Sequence, residues 1–249
     1  MKRMFLIIIF IFCFNNNLFT QTIPEPPFVG LKKYLDFNPS YILYTWSSIK
    51  IWGWSRDSKI AYSDEREIDG RGGIITTVAI LDLINDVILW ENSIDTYDYD
   101  EDYEESKENI EYKEAYNNFI INFRNKCEQT GIEFVQTDFL KLPIRHNNQT
   151  VNIIVETSEK SADDFDDEWG LELWGKIGGY KIIANNQGKT KIIHENTFEY
   201  AIMDVVVCGY FISPFEDRAL VVIGECVRTF EGYEILYTFI GCHLSNGFR

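Results

Sequence analysis

Asp98, Asp100 and Asp102 stand at the D-x-D-x-D spacing with which a calcium loop begins. The position that needs glycine for the sharp turn is Tyr103, and the closing glutamate is replaced by Asn109. The loop is therefore not an EF-hand. A looser calcium site shared with the acids of residues 163–168, DDFDDE, is the alternative to a solvated acidic loop, which is the default reading. Glycoside hydrolysis needs two carboxylates held about 5 to 9 Å apart. With 39 Asp and Glu in the chain, spacing alone nominates no such pair.

The other reactive residue types read as structural. His146, His194 and His243 have no H-x-x-x-H, H-E-x-x-H or local Cys/His neighbour, so no zinc set is assembled. Ser55 and Ser213 are outside any G-x-S-x-G elbow and are expected to be turn residues. The glycines at 70–73 and 178–179 lack the Lys-Ser/Thr ending of a phosphate loop. Cys127, Cys208, Cys226 and Cys242 contain no C-x-x-C pair. Three of them sit in apolar strand patterns with no cysteine directly opposite, which reads as buried free thiols. No cofactor is expected. What remains is aromatic: Trp52 and Trp54 alternate with Lys50 on one strand. By simple alternation they share a face, the candidate binding surface for a protein or glycan.

Composition sets the surroundings. Lys2 and Arg3 precede an apolar run, Met4 to Phe14, closed by three asparagines. Residues 1–22 therefore read as a secretory signal, and the product as exported, periplasmic or extracellular. A lipid anchor at Cys13 is disfavoured by the bulky Phe10-Ile11-Phe12 before it. No later segment is apolar enough for a membrane span. Losing Lys2 and Arg3 takes the formal charge from −16 to −18, which argues against nucleic acid as a partner and for a basic protein or divalent cations.

The elements that must hold these residues are mostly strands. Ile51–Trp54 lead into the turn formers Ser55-Arg56-Asp57-Ser58, and Lys59–Tyr62 is a strand. Residues 64–73 are expected as a polar loop. Ile74–Leu83 alternates Val78 and Ile80 against Ala79, Leu81 and Leu83, apolar on both sides, so it should lie between layers. Asn85-Asp86 then turns into Val87–Trp90. The residues Trp54, Ser55, Asp57, Ser58, Lys59, Ile60, Ala61 and Tyr62 resemble the W-S-x-D-(S/G)-K-(I/L)-A-Y turn of TolB-type β-propellers. That resemblance implies a propeller-like strand pair of about one blade and transfers no functional residue.

Residues 95–131 are an insertion: an acidic loop, then a helix over 106–130 with Ser106 as N-cap and Gly131 as C-terminal cap. Tyr112, Tyr116, Phe119, Ile120, Phe123 and Cys127 recur at helical spacing, so that stripe should lie on a sheet. Strands resume at 133–136, 141–145, 151–157, 171–176, 180–184 and 190–194, the last two around a hairpin turn at Asn185–Gly188. Met203–Leu244 should be three antiparallel strands joined by turns at Pro214 and Gly232. Its S-P-F-E-D-R-A-L-V-V echoes S-R-D-S-K-I-A-Y, as two diverged copies of one β unit. The whole layout resembles a group of predicted exported bacterial proteins of unknown function, which brings no activity with it.

The fold class expected is mainly β, an antiparallel meander or propeller-like arrangement with one inserted helix, in a single domain over 23–249. The function expected is an exported non-catalytic module of the cell envelope that binds an unidentified protein. The alternative is a carboxylate-based hydrolase, calcium-supported in one form.

Overall fold

The computed structural model describes residues 43–67, 73–99, 109–160, 175–228 and 232–249. Its strands are β1 (Leu43–Trp46), β2 (Ser48–Trp54), β3 (Lys59–Glu67), β4 (Ile74–Asp82), β5 (Val87–Asp95), β6 (Ile144–His146) and β7 (Gln149–Glu159). The chain continues with β8 (Ile177–Asn186), β9 (Lys189–Ile202), β10 (Asp204–Ile212), β11 (Arg218–Arg228) and β12 (Gly232–His243). Among the described residues one α-helix, α1 (Ile110–Gln129), lies between β5 and β6. The fold is mainly β and antiparallel, as the alternation patterns imply.

Three open four-stranded sheets form, in the orders β2-β3-β4-β5, β6-β7-β8-β9 and β1-β12-β11-β10. The third is the middle layer. Phe211, Leu220 and Val222 on one of its faces meet Ile49, Trp54, Ile60, Leu81 and Leu83 of the first sheet. Ala219, Val221, Ile223 and Ile240 on the other meet Ile144, Val151, Tyr180 and Ile182 of the second. That is why β11 is apolar on both sides: all of Arg218–Cys226 is buried. α1 covers the outer face of the first sheet, where Phe119, Phe123 and Cys127 pack on Ala61, Val78 and Ile80. The layers thus run helix, sheet, sheet, sheet. The three sheets are stacked and open.

Local chemistry explains the element ends. Asn109 is the N-cap of α1, its side chain accepting from the N–H of Glu111 at 2.8 Å; the expected cap, Ser106, lies outside the described residues. At the other end Gly131 has φ +73°. Ile132 N–H reaches Cys127 O at 2.9 Å and Gly131 N–H reaches Glu128 O at 3.1 Å. These two bonds are a Schellman motif with its apolar contact, as the Gly-Ile pair implies. Gln187 and Gly188, at φ +53° and +86°, make the tight turn expected between β8 and β9.

Several expectations are corrected. β3 continues through Asp64–Glu67, residues read as loop, because β4 gives each of them a partner across the ladder. Of the strand expected at 133–136 only an antiparallel bridge remains, Glu133 with Trp54. A second bridge joins Leu140 to Tyr210. The segment between α1 and β6 therefore ties down the open edges of β2 and β10, which would otherwise present unpaired backbone groups. β1 pairs in parallel with β12, a long-range pairing that no local pattern signals. The strand expected at 171–176 and the acidic loop at 163–168 fall largely or wholly outside the described residues.

The two echoed motifs adopt the same construction. Ser55 N–H bonds Lys59 O and Ser213 N–H bonds Arg218 O, both at 2.9 Å, closing the turns β2–β3 and β10–β11. Both first strands carry a bulge, before Gly53 and before Gly209. At each glycine the bridging segment approaches so closely that a β-carbon would lie 2.3 Å from Glu133 O or 2.4 Å from the Phe139 ring.

Candidate functional site

The two motif turns meet across the boundary between the first and third sheets. Ser58 Oγ donates to Glu216 Oε2 at 2.6 Å, and Arg218 Nε donates to Ser58 Oγ at 3.1 Å. Arg218 Nη1 donates to Leu83 O at 2.9 Å. Asp86 Oδ1 accepts from Gly241 N–H at 2.7 Å. A β-carbon on Gly241 would lie 1.8 Å from Leu83 O, so only glycine lets the two sheets approach here. Burial pushes the Asp86 carboxyl up to about 6, against the Gly241 N–H and the Arg218 charge. This cluster clamps the two units together. Its hydrogen bonds link the two turns directly, while Glu216 Oε1 is buried without a partner.

Next to it Asp217 accepts from Ser245 Oγ and lies 3.0 Å from His146 Nε2. The residue types are those of a nucleophilic triad, but the order is wrong. The hydroxyl bonds the carboxylate and not the imidazole, so the serine–imidazole contact that defines a triad is absent. A further buried set links Tyr180, whose hydroxyl donates to Glu225, with Thr238 Oγ1, which donates to the same carboxylate at 3.1 Å.

The tryptophan surface expected from alternation is split. The bulge between Ile51 and Gly53 inserts one residue into β2, and a one-residue slip turns every later side chain to the other face. Trp54 therefore joins Ile49 and Ile51 in the core against the middle sheet, fully buried, with Nε1 donating to Thr137 Oγ1 at 3.1 Å. It is no part of a binding surface. Trp52 faces α1, edge-on to Phe123 at 5.6 Å.

Trp52 does line a cavity. Two cross-strand rows build its floor on the helix side of the first sheet: Ser48–Glu65–Thr76 and Lys50–Ser63–Val78. Tyr116 and Ile120 of α1 form a wall, and the cavity is about 220 Å³. Lys50 Nζ sits 3.7 Å from the Trp52 ring centroid, and Trp52 Nε1 donates to Ser63 Oγ at 2.9 Å. Burial lowers the Lys50 pKa, Glu65 opposes that, and Arg124 adds to it. Glu65 lies in the part of β3 read from the sequence as loop, so the row through it was not foreseen, nor was the wall that Tyr116 and Ile120 set beside it.

Of the calcium candidates, Asp98 is exposed in the 3-10 turn Thr96–Asp98, while Asp100 and Asp102 lie outside the described residues. Among the described residues no group of three or more His, Cys, Asp or Glu is placed to hold a metal. The four cysteines among the described residues are free, as expected, and burial raises Cys127, Cys208 and Cys226 to about 12.

One surface was missed. β5 is the outer strand of the first sheet and, among the described residues, pairs only with β4. Ile84, Val87, Ile88 and Leu89 at its start are 62, 47, 49 and 45 % exposed. Three consecutive exposed apolar residues on a strand are unusual without a function. The signal was present in the run V-I-L-W, but such a run equally describes a buried strand. Compared with family models, curated proteins and solved structures, the chain matches none.

Proposed function

We propose that the chain is an exported, non-catalytic β-rich module of the cell envelope that binds a protein partner through the β5 edge. The observation that carries this reading is the open strand edge joined to exposed Ile84, Val87, Ile88 and Leu89. An unpaired edge offers a ladder of backbone donors and acceptors to an extended segment, and apolar side chains beside it supply affinity. Asp82, Glu91 and Asp95 stand on or beside the strand, so the segment that fits it is apolar with Lys or Arg alongside. The alternative of a carboxylate hydrolase finds less support, since the cavity under α1 contains one carboxylate, Glu65, and that chemistry uses two.

Ile88→Lys tests the proposal. The side chain is half exposed, so stability should change by no more than about 0.5 kcal/mol. A charge there should block strand addition. Co-purification from the native envelope should yield a partner with the parent chain and lose it with Ile88→Lys. Identical sets of co-purified proteins from both would overturn the reading.

A further inference from the structure

The cavity between α1 and the first sheet carries an inference independent of the β5 edge. Its polar rim holds two opposite charges from neighbouring strands. Lys50 lies on β2, and Glu65 lies on β3 two residues beyond Ser63, the partner of Lys50 in the ladder. Among the described residues neither forms an ion pair. Lys50 is half-buried and is fixed instead over the π face of Trp52, which leaves its remaining ammonium protons without a carboxylate. The Trp52 indole is in turn fixed by Ser63, whose hydroxyl accepts from it and keeps its own proton to donate. Thr76, 5 % exposed, lines the same floor. The lining also has apolar groups, Val78 from the sheet and Ile120 from the helix.

We infer that this cavity binds a free apolar α-amino acid, its carboxylate on Lys50 Nζ and the Ser63 hydroxyl, its ammonium on Glu65, and its side chain against Val78 and Ile120. Three features select that class. A simple anion would meet repulsion from Glu65, and a simple cation would meet it from Lys50, so a molecule carrying both charges a short distance apart is matched best. The volume, about 220 Å³, lies below the roughly 300–1,000 Å³ of pockets for drug-sized ligands and admits a single residue, not a peptide or an oligosaccharide. The ring face of Trp52 is already covered by Lys50, which removes the stacking platform a sugar would use.

The test uses the full processed chain and L-leucine as probe. The Trp52 indole N–H resonance, assigned by its loss in Trp52→Phe, reports on the site directly. L-leucine should shift it saturably. The two halves of the charge pattern, 4-methylpentanoate without the amine and isoamylamine without the carboxylate, should each bind at least about tenfold more weakly, the loss of one charged contact. Lys50→Met, which keeps an apolar stem over the ring, should abolish the preference for leucine over isoamylamine. Glu65→Gln, at an exposed position, should abolish the preference for leucine over 4-methylpentanoate. No saturable shift with L-leucine, equal binding of all three probes, or leucine binding untouched by both substitutions would each overturn the inference.

Discussion

Asp86→Asn isolates the electrostatic character of the junction between the two β units. Asp86 ends the β4–β5 turn at φ +53° and reaches the middle sheet, where Oδ1 accepts from Gly241 N–H at 2.7 Å. Burial raises its carboxyl from 3.8 to about 6, outweighing the Gly241 N–H and Arg218, which both favour the carboxylate. A folded-state pKa above the unfolded one means stability that is fully present below about pH 4 and is lost as pH rises through about 6. The gap from 3.8 to about 6 corresponds to about 3 kcal/mol at about 1.36 kcal/mol per pH unit. The carboxyl is partly open to solvent, so screening reduces this to roughly 1–2 kcal/mol. Asparagine keeps the acceptor for Gly241, tolerates the positive φ and removes the charge. Urea melts of parent and Asp86→Asn should therefore separate by roughly 1–2 kcal/mol in favour of the variant near pH 7.5, and the advantage should shrink toward about pH 4. A variant less stable than the parent near pH 7.5, or a difference flat across that range, would mean that the Arg218 attraction outweighs burial and that the reasoning fails.

Four other outcomes follow from the same structure. Phe119→Ala should cost about 3–5 kcal/mol in a denaturant melt, because the ring is buried between α1 and the first sheet; a loss under about 0.5 would mean the helix is not packed there. Removing residues 239–249 should abolish soluble expression, since β12 lies between β11 and β1 and Arg249 exchanges backbone bonds with Thr190; a soluble, cooperatively melting product would contradict this. A thiol reagent near pH 8 should leave Cys127, Cys226 and Cys242 unmodified in the native state and modify them on unfolding, as burial disfavours the thiolate; rapid native reaction would refute it. Mass spectrometry of the native protein should find residues 1 to about 22 removed, and an intact Met1 or a diacylglyceryl group on Cys13 would refute the export signal.

The sequence by itself determined the class, the turns and the layering of individual strands. β11 reads apolar on both faces and is buried on both, because burial on each side is the physical reason such a run exists. The stripe from Tyr112 to Cys127 and the Gly131-Ile132 cap located α1 to within a few residues, since both signals are local and set by helix periodicity and backbone chirality. The two echoed turns were legible for the same reason. Tertiary structure decided what depends on long-range approach. A single bulged residue at Trp52, beside a glycine contacted by Glu133 O, sent Trp54 into the core and left Trp52 on the helix side. The parallel pairing of β1 with β12 joins residues almost the whole described chain apart. The cavity beside Lys50 and Glu65 exists because Tyr116 and Ile120 of α1 stand as its wall. Alternation gives the face of each side chain along a strand, but which faces meet, and where cover stops, is set by how sheets stack, and no window of neighbouring residues encodes that.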